Sequence, residues 1–209
     1  NIEQNRSFEH VFLQDMEEAG IFFLESHYEL ARDARYSQVV VQKGGALTRL
    51  NISAKLNGEN AEADMHGLYT PKGKSHFDVS SYIEHAAPHN YSRQVYKGII
   101  DDQSKGIFAG KVKVNKGSLL IAAEQLNKNL LLTPKAQAFS RPQMEIDADD
   151  VKCAHGSTTG QLSEKELFYF ESRGIRRDKA RAMLAQGFAM DVILKTKNET
   201  IRNLLIDNL

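Results

Sequence analysis

Polar and apolar residues alternate in short runs through most of this chain, and the alternation stops near residue 160. Leu50, Ile52, Ala54 and Leu56 are separated by polar residues, and Val112 and Val114 separate Lys111, Lys113 and Asn115. A period of two sends successive side chains to opposite faces of an extended segment, so these runs predict β-strands with one buried face. Turn signals interrupt them at Gly44-Gly45, Asn57-Gly58, Pro71-Lys-Gly73, Ala87-Pro88, Asp101-Asp102, Asn115-Lys-Gly117 and Thr133-Pro134. Glycine supplies positive φ and proline presets φ, so these are turns with a mechanism. They recur roughly every 14 to 18 residues, a regular spacing that fits a sandwich, a barrel or a β-solenoid. Periodicity alone does not choose among the three.

After residue 160 the period changes. Ser163-Glu-Lys-Glu166 reads as a capping box ahead of Leu167, Phe168 and Phe170, and Gly174 as the stop for that helix. A second helix is expected from Arg177 to about Leu194, with Ala180, Met183, Leu184, Phe188 and Val192 as its apolar stripe. A third is expected from Asn198 to Leu209, with Ile201, Leu204, Leu205 and Leu209 on one side. The chain therefore divides into a β part, residues 1–160, and a helical part, residues 161–209. The helical stripes have little local material to cover them, so they must bury against each other, the β part or a partner.

Composition narrows the classes. A chain of 209 residues carries enough material for a substantial core. Its 27 basic and 27 acidic residues balance, which argues against nucleic acid as the main partner. No apolar run is long enough to span a membrane, and no signal-peptide pattern begins at Asn1. A single cysteine forms no internal disulfide, which points to a reducing, cytoplasmic setting.

That cysteine marks the richest stretch, Asp149-Asp-Val-Lys-Cys-Ala-His-Gly-Ser-Thr-Thr-Gly160. If the segment is extended, Val151, Cys153 and His155 project from one face. A thiol beside an imidazole suits a soft or borderline metal, or sulfur handling, but two ligands do not complete a tetrahedral site. Elsewhere the chemistry is thin. His85 and His89 bracket a proline, which disfavours the helix that would make them a metal pair, so they read as turn residues. Asp147, Asp149 and Asp150 read as a solvated turn, and Gly98, Gly106 and Gly110 as strand bends rather than a phosphate cradle. No nucleophile elbow, P-loop or dinucleotide fingerprint occurs.

The run from Gln143 to Leu162, centred on Val151-Lys-Cys-Ala-His-Gly156, resembles the SufB/SufD family of iron–sulfur cluster assembly scaffolds. The resemblance continues through Leu167-Phe-Tyr-Phe-Glu-Ser-Arg-Gly-Ile175 and Ala185-Gln-Gly-Phe-Ala189. Upstream it includes Asn127-Lys-Asn-Leu-Leu-Leu132, Tyr96-Lys-Gly-Ile99, Ile83-Glu-His-Ala-Ala-Pro-His89 and Ala31-Arg-Asp-Ala-Arg35. Ala154 and Gly156 flank the histidine where the SufB branch carries glutamates, which favours the SufD branch. Lys116-Gly-Ser-Leu-Leu-Ile121 departs from the polar stretch expected of the family there. Family members are usually much longer, so the chain is expected to lack the family's N-terminal region and to begin within the β part.

The resemblance implies a right-handed parallel β-helix, or β-solenoid, followed by a small α-helical C-terminal subdomain. It implies no catalytic residues and no intrinsic cofactor. The expected partners are a SufB-type subunit, with a nascent iron–sulfur cluster near His155 and Cys153 at the interface, and a SufC-type ATPase. Leu167, Phe168, Phe170, Met183, Leu184 and Phe188 are the candidate docking residues for that ATPase. A homodimer is expected of an isolated preparation. Two rival classes are a β-helix polysaccharide lyase or hydrolase, for which the carboxylates here are scattered and tryptophan is absent, and a purely structural solenoid adaptor.

Overall fold

A computed structural model describes residues 1–209. Eleven strands precede three helices: β1 (Ser7–Met16), β2 (Ile21–Leu30), β3 (Arg35–Gly44), β4 (Leu47–Leu56), β5 (Glu62–Thr70), β6 (His76–His85), β7 (Tyr91–Ile100), β8 (Lys105–Val114), β9 (Ile121–Leu131), β10 (Gln137–Ile146) and β11 (Val151–Gln161), then α1 (Glu164–Glu171), α2 (Arg177–Ile193) and α3 (Glu199–Asp207). The strands alternate between two sheets. One runs β1-β3-β5-β7-β9-β11 and the other β2-β4-β6-β8-β10, and every pairing is parallel. Arg35 lies beside Glu62 and Glu62 beside Tyr91, so a coil takes roughly 30 residues, a solenoid period. The seven sequence turns fall at strand ends, each closing half a coil. The turns at 17–20 and 31–34 lack a strong turn dipeptide, and the sequence did not announce them.

One corner of the solenoid is a stack of left-handed residues. Asn5, Asp33, Asn60, His89, Leu120 and Asp150 all have φ between 54° and 61°, and all but Asn5 link an even-numbered strand to the next odd-numbered one. The amide of each of the first four donates to a carbonyl of the following coil: Asn5 to Arg32, Asp33 to Glu59, Asn60 to Pro88 and His89 to Leu119, at 2.9–3.3 Å. Short polar side chains tolerate this conformation because they bond locally. Leu120 is the exception.

The alternating residues named above do face inward: Leu50, Ile52, Ala54, Leu56, Val112 and Val114 are buried. Close packing of in-register neighbours on the lumen side of the odd-numbered sheet depends on glycines such as Gly67 and Gly98. A Cβ on Gly67 would lie 2.3 Å from the Tyr96 ring, and one on Gly98 would lie 2.3 Å from the Tyr69 ring. The space so left admits a buried hydrogen-bonded cluster. Tyr69 Oη donates to Asn129 Oδ1 at 2.6 Å, Asn127 Nδ2 donates to Tyr69 Oη at 3.1 Å, and Asn129 Nδ2 donates to Asn127 Oδ1 at 2.8 Å.

The helices fall where their sequence signals place them, but their apolar stripes differ: on α3 only Leu205 is buried, while Ile201, Leu204 and Leu209 are exposed. Ser163 caps α1 by accepting from the Glu166 amide, Gly174 has φ 77°, and Asn198 caps α3 by accepting from the Ile201 amide at 3.0 Å. On α2 the buried residues are Ala180, Ala189, Val192 and Ile193, while Met183 is exposed. Of the expected stripe, Ala180 and Val192 are thus buried, Leu184 and Phe188 are half-buried, and Met183 alone lies outside the face. Ala185 and Ala189 are small enough to bring the helix against the outer face of the odd-numbered sheet, where Val39, Val41, Leu68 and Ile99 complete the cluster with Leu205 of α3. Alanines signal a buried face weakly in sequence, which is why the larger Met183 was read into the stripe and Ala185 and Ala189 were not.

Candidate functional site at the solenoid edge

β11 is the last strand of its sheet and pairs only with β9, so its other edge has no strand beside it. The second sheet ends on β10, where Pro142 removes one backbone donor. Of the two edges at this end, β11 is the better template for an added strand. It also carries both chemical candidates. Cys153 lies in register with Ala123, and His155 with Gln125.

Cys153 and His155 share the face that the alternation implies, but their surroundings differ. Cys153 is half-buried against the cluster of Val112, Val114, Ile121 and Ala123. Burial pushes its thiol up, and a hydrogen bond with the Ala123 backbone pulls weakly the other way. A raised thiol holds less thiolate near neutrality. His155 is exposed. Further along the strand, Ser157 Oγ donates to Ser140 Oγ at 2.8 Å, which ties β11 across the open end to β10.

No group of three or more His, Cys, Asp or Glu side chains gathers where it could hold a metal ion. Cys153 and His155 by themselves therefore fall short of a tetrahedral ligand set. His85 and His89 have structural surroundings. His85 is fully buried, its Nε2 lies 2.8 Å from Ser92 Oγ, and burial pulls its pKa down to about 4. His89 holds the left-handed corner. Asp147, Asp149 and Asp150 are exposed in the turn before β11.

The six helical candidates separate. Leu167 is 1% exposed and Phe188 is engaged by Lys97, whose Nζ lies 4.4 Å from the ring centroid and donates to the Phe188 carbonyl at 2.9 Å and to Asp191 Oδ2 at 2.5 Å. Both serve the protein's own packing, so neither is a freely accessible docking residue. Phe170 and Leu184 are half-buried. Phe168, at 70% exposed, and Met183 face outward, and Tyr169, Leu194 and Leu204 are exposed hydrophobics of the same helical region. Tyr169, Leu194 and the latch residue Lys97 were not singled out from sequence.

Sequence reading also missed the polar row behind His155. Gln38, Gln94 and Gln125 are fully buried on the inner face of the odd-numbered sheet. Their spacing, two coils from Gln38 to Gln94 and one from Gln94 to Gln125, was the available signal, but it emerges only once the register is known.

A family model described as "SUF system FeS cluster assembly, SufBD core domain" matches residues 1–188. The iron-sulfur cluster assembly protein SufD of Escherichia coli (strain K12) is 32% identical over 202 residues, covering 97% of this chain and 48% of that protein. An iron-sulfur cluster assembly SufBD family protein of Synechocystis is 35% identical over 162 residues, covering 78% of this chain and 36% of its own. Protein ABCI7, chloroplastic, of Arabidopsis thaliana is 32% identical over 203 residues, covering 97% and 43%. The chain thus spans less than half the length of these relatives.

Proposed function

Since this chain belongs to the SufBD family of the SUF iron–sulfur cluster assembly system, we propose that it acts as a non-catalytic scaffold subunit. It pairs through β11 with a SufB-type subunit and offers its helical end to a SufC-type ATPase. The observation that carries this reading is the placement of Cys153 and His155 on an edge strand with no neighbour. Strand addition at that edge would bring a partner's side chains beside them, and two ligands from each chain would complete a four-coordinate site. Iron and sulfide are cargo at that interface. His155, exposed and unburdened by packing, is the first ligand, and Cys153 the second.

The helical end supports the ATPase half of the reading. Phe168, Tyr169 and Met183 expose apolar surface on a subdomain that is itself anchored to the solenoid by Lys97. Exposed apolar patches on an anchored element suit a partner surface. ATP hydrolysis then belongs to the partner, because no phosphate-binding motif occurs in this sequence. No helix is long and apolar enough to cross a membrane. A reducing compartment, the bacterial cytosol or its plastid counterpart, suits a free thiol.

The test is co-expression with SufB-type and SufC-type proteins, followed by purification through a tag on this chain. A stable ternary complex is expected, and this chain alone is expected to form dimers through the same edge. Failure to retain either partner, with the chain folded, would overturn the scaffold reading.

A further inference from the structure

Reading in register across the inner face of the odd-numbered sheet, Gln38, Met65, Gln94, Gln125 and His155 form one row. Parallel in-register neighbours stack at the strand spacing, so each side chain meets the next. Gln94 and Gln125 are 0% and 1% exposed. Gln125 Nε2 donates to Gln94 Oε1 at 3.0 Å, which uses one end of its amide. The other end, Oε1, is buried and has no partner. Buried acceptors in native proteins are almost always satisfied, so an orphan beside a chemical site calls for a donor. The next side chain in the row, on the open side of Gln125, is His155, the one member of the row that carries an imidazole.

We infer that Gln125 is a positioning residue for His155: its Oε1 accepts the ring N–H and so fixes one tautomer, leaving the lone pair of the other nitrogen to ligate at the edge. The inference rests on the ligand role proposed for His155, although the contact itself belongs to this chain alone. The ring is exposed on an edge strand, so turning it about χ1 and χ2 onto Oε1 moves no backbone. A neutral imidazole binds metal through one nitrogen while the other donates to a protein acceptor, and that acceptor sets which nitrogen is free. An amide suits this place better than a carboxylate. A carboxylate at position 125 would be an unpaired charge in the lumen, whereas the amide is already clamped by Gln94. Within the row Gln94 orients Gln125, and Gln125 orients the side chain at the rim.

The experiment is long-range 1H–15N NMR of the chain labelled at histidine, with the His155→Ala spectrum assigning the signal. At a pH where the ring is neutral, the unaltered chain should show a single His155 tautomer with an exchange-protected ring N–H. Gln125→Met, which keeps length and apolar volume but removes the acceptor, should return the tautomer mixture and rapid exchange of a free imidazole. Gln125→Glu should keep the unaltered pattern in a folded fraction where the side chain is protonated. A mixture already present in the unaltered chain overturns the inference even if Gln125→Met fails to fold. So does a His155 that accepts rather than donates. The complex with the SufB-type partner separates the two claims. A tautomer fixed by Gln125, with iron unchanged in both His155→Ala and Gln125→Met complexes, upholds the hydrogen bond and removes the ligand role.

Discussion

The solenoid and the helical end are held by different means, and the difference matches what each is proposed to do. In the solenoid every coil repeats the same register, its lumen is filled with interlocking aromatic and amide side chains, and its corner amides bond from coil to coil. Rigidity there comes from stacking, and the chemistry is placed where stacking stops. The helical end rests on one outer face through a modest apolar cluster, the Lys97 latch and a hydrogen bond from Arg181 to the Leu132 carbonyl. It leaves large apolar side chains in water. A rigid rim suits a site whose ligands must meet those of another chain, and a lightly anchored subdomain suits an element that receives motion from an ATPase.

Four changes break or sharpen that contrast. The largest effect should come from acid on the lumen. Burial holds His85 near pKa 4 against an ordinary value of 6.5, so its contribution to stability is intact above pH 6.5 and is lost as pH falls toward 4. The loss is about 3 kcal/mol at most. Urea titrations at stepped pH should show this acid slope, and His85→Asn should flatten it. Next is the latch. Lys97→Met removes the bond to the Phe188 carbonyl and the pair with Asp191, and should loosen α2 by about 2 kcal/mol, discounted from a buried pair because Asp191 is exposed. Hydrogen exchange should quicken in α2 and α3 while β5, β7 and β9 keep their protection. Equal loss in both regions would deny that they are separately held.

Smaller still is the corner. Leu120 holds the left-handed conformation where the other coils use Asn, Asp or His, so Leu120→Asn should raise stability by about 1 kcal/mol in urea unfolding. A drop would mean that the exposed leucine contributes packing worth more than its strain. Phe168→Asp should change stability least, because the ring is mostly in water. It should nonetheless weaken capture of a SufC-type ATPase in a pull-down. Leu167→Asp, by contrast, should damage the helical end itself.

How much of this could be read in the sequence varied with how local the signal was. The turn dipeptides, the alternation at Leu50–Leu56 and the capping box at Ser163 are each written within a few residues, and each marked a real feature. Parallel stacking was not local. Alternation fits several β architectures, and the solenoid followed from resemblance. The Gln94–Gln125 pair lies 31 residues apart and becomes a row only through the register. The α2 face was read correctly at Ala180 and Val192 but not at Met183, because alanines carry part of it. His155 and Cys153 were visible as residue types, but sequence gave no hint that one is exposed and the other half-buried.

The central claim is that His155, at the unpaired rim, supplies a ligand to a cluster shared with a SufB-type partner. The direct measurement is iron and acid-labile sulfide per purified complex, comparing the unaltered chain with His155→Ala, with ATPase binding measured in parallel. The account predicts an intact, ATPase-bound complex whose iron and sulfide fall severalfold. A His155→Ala complex that assembles normally and carries unaltered iron and sulfide would contradict it.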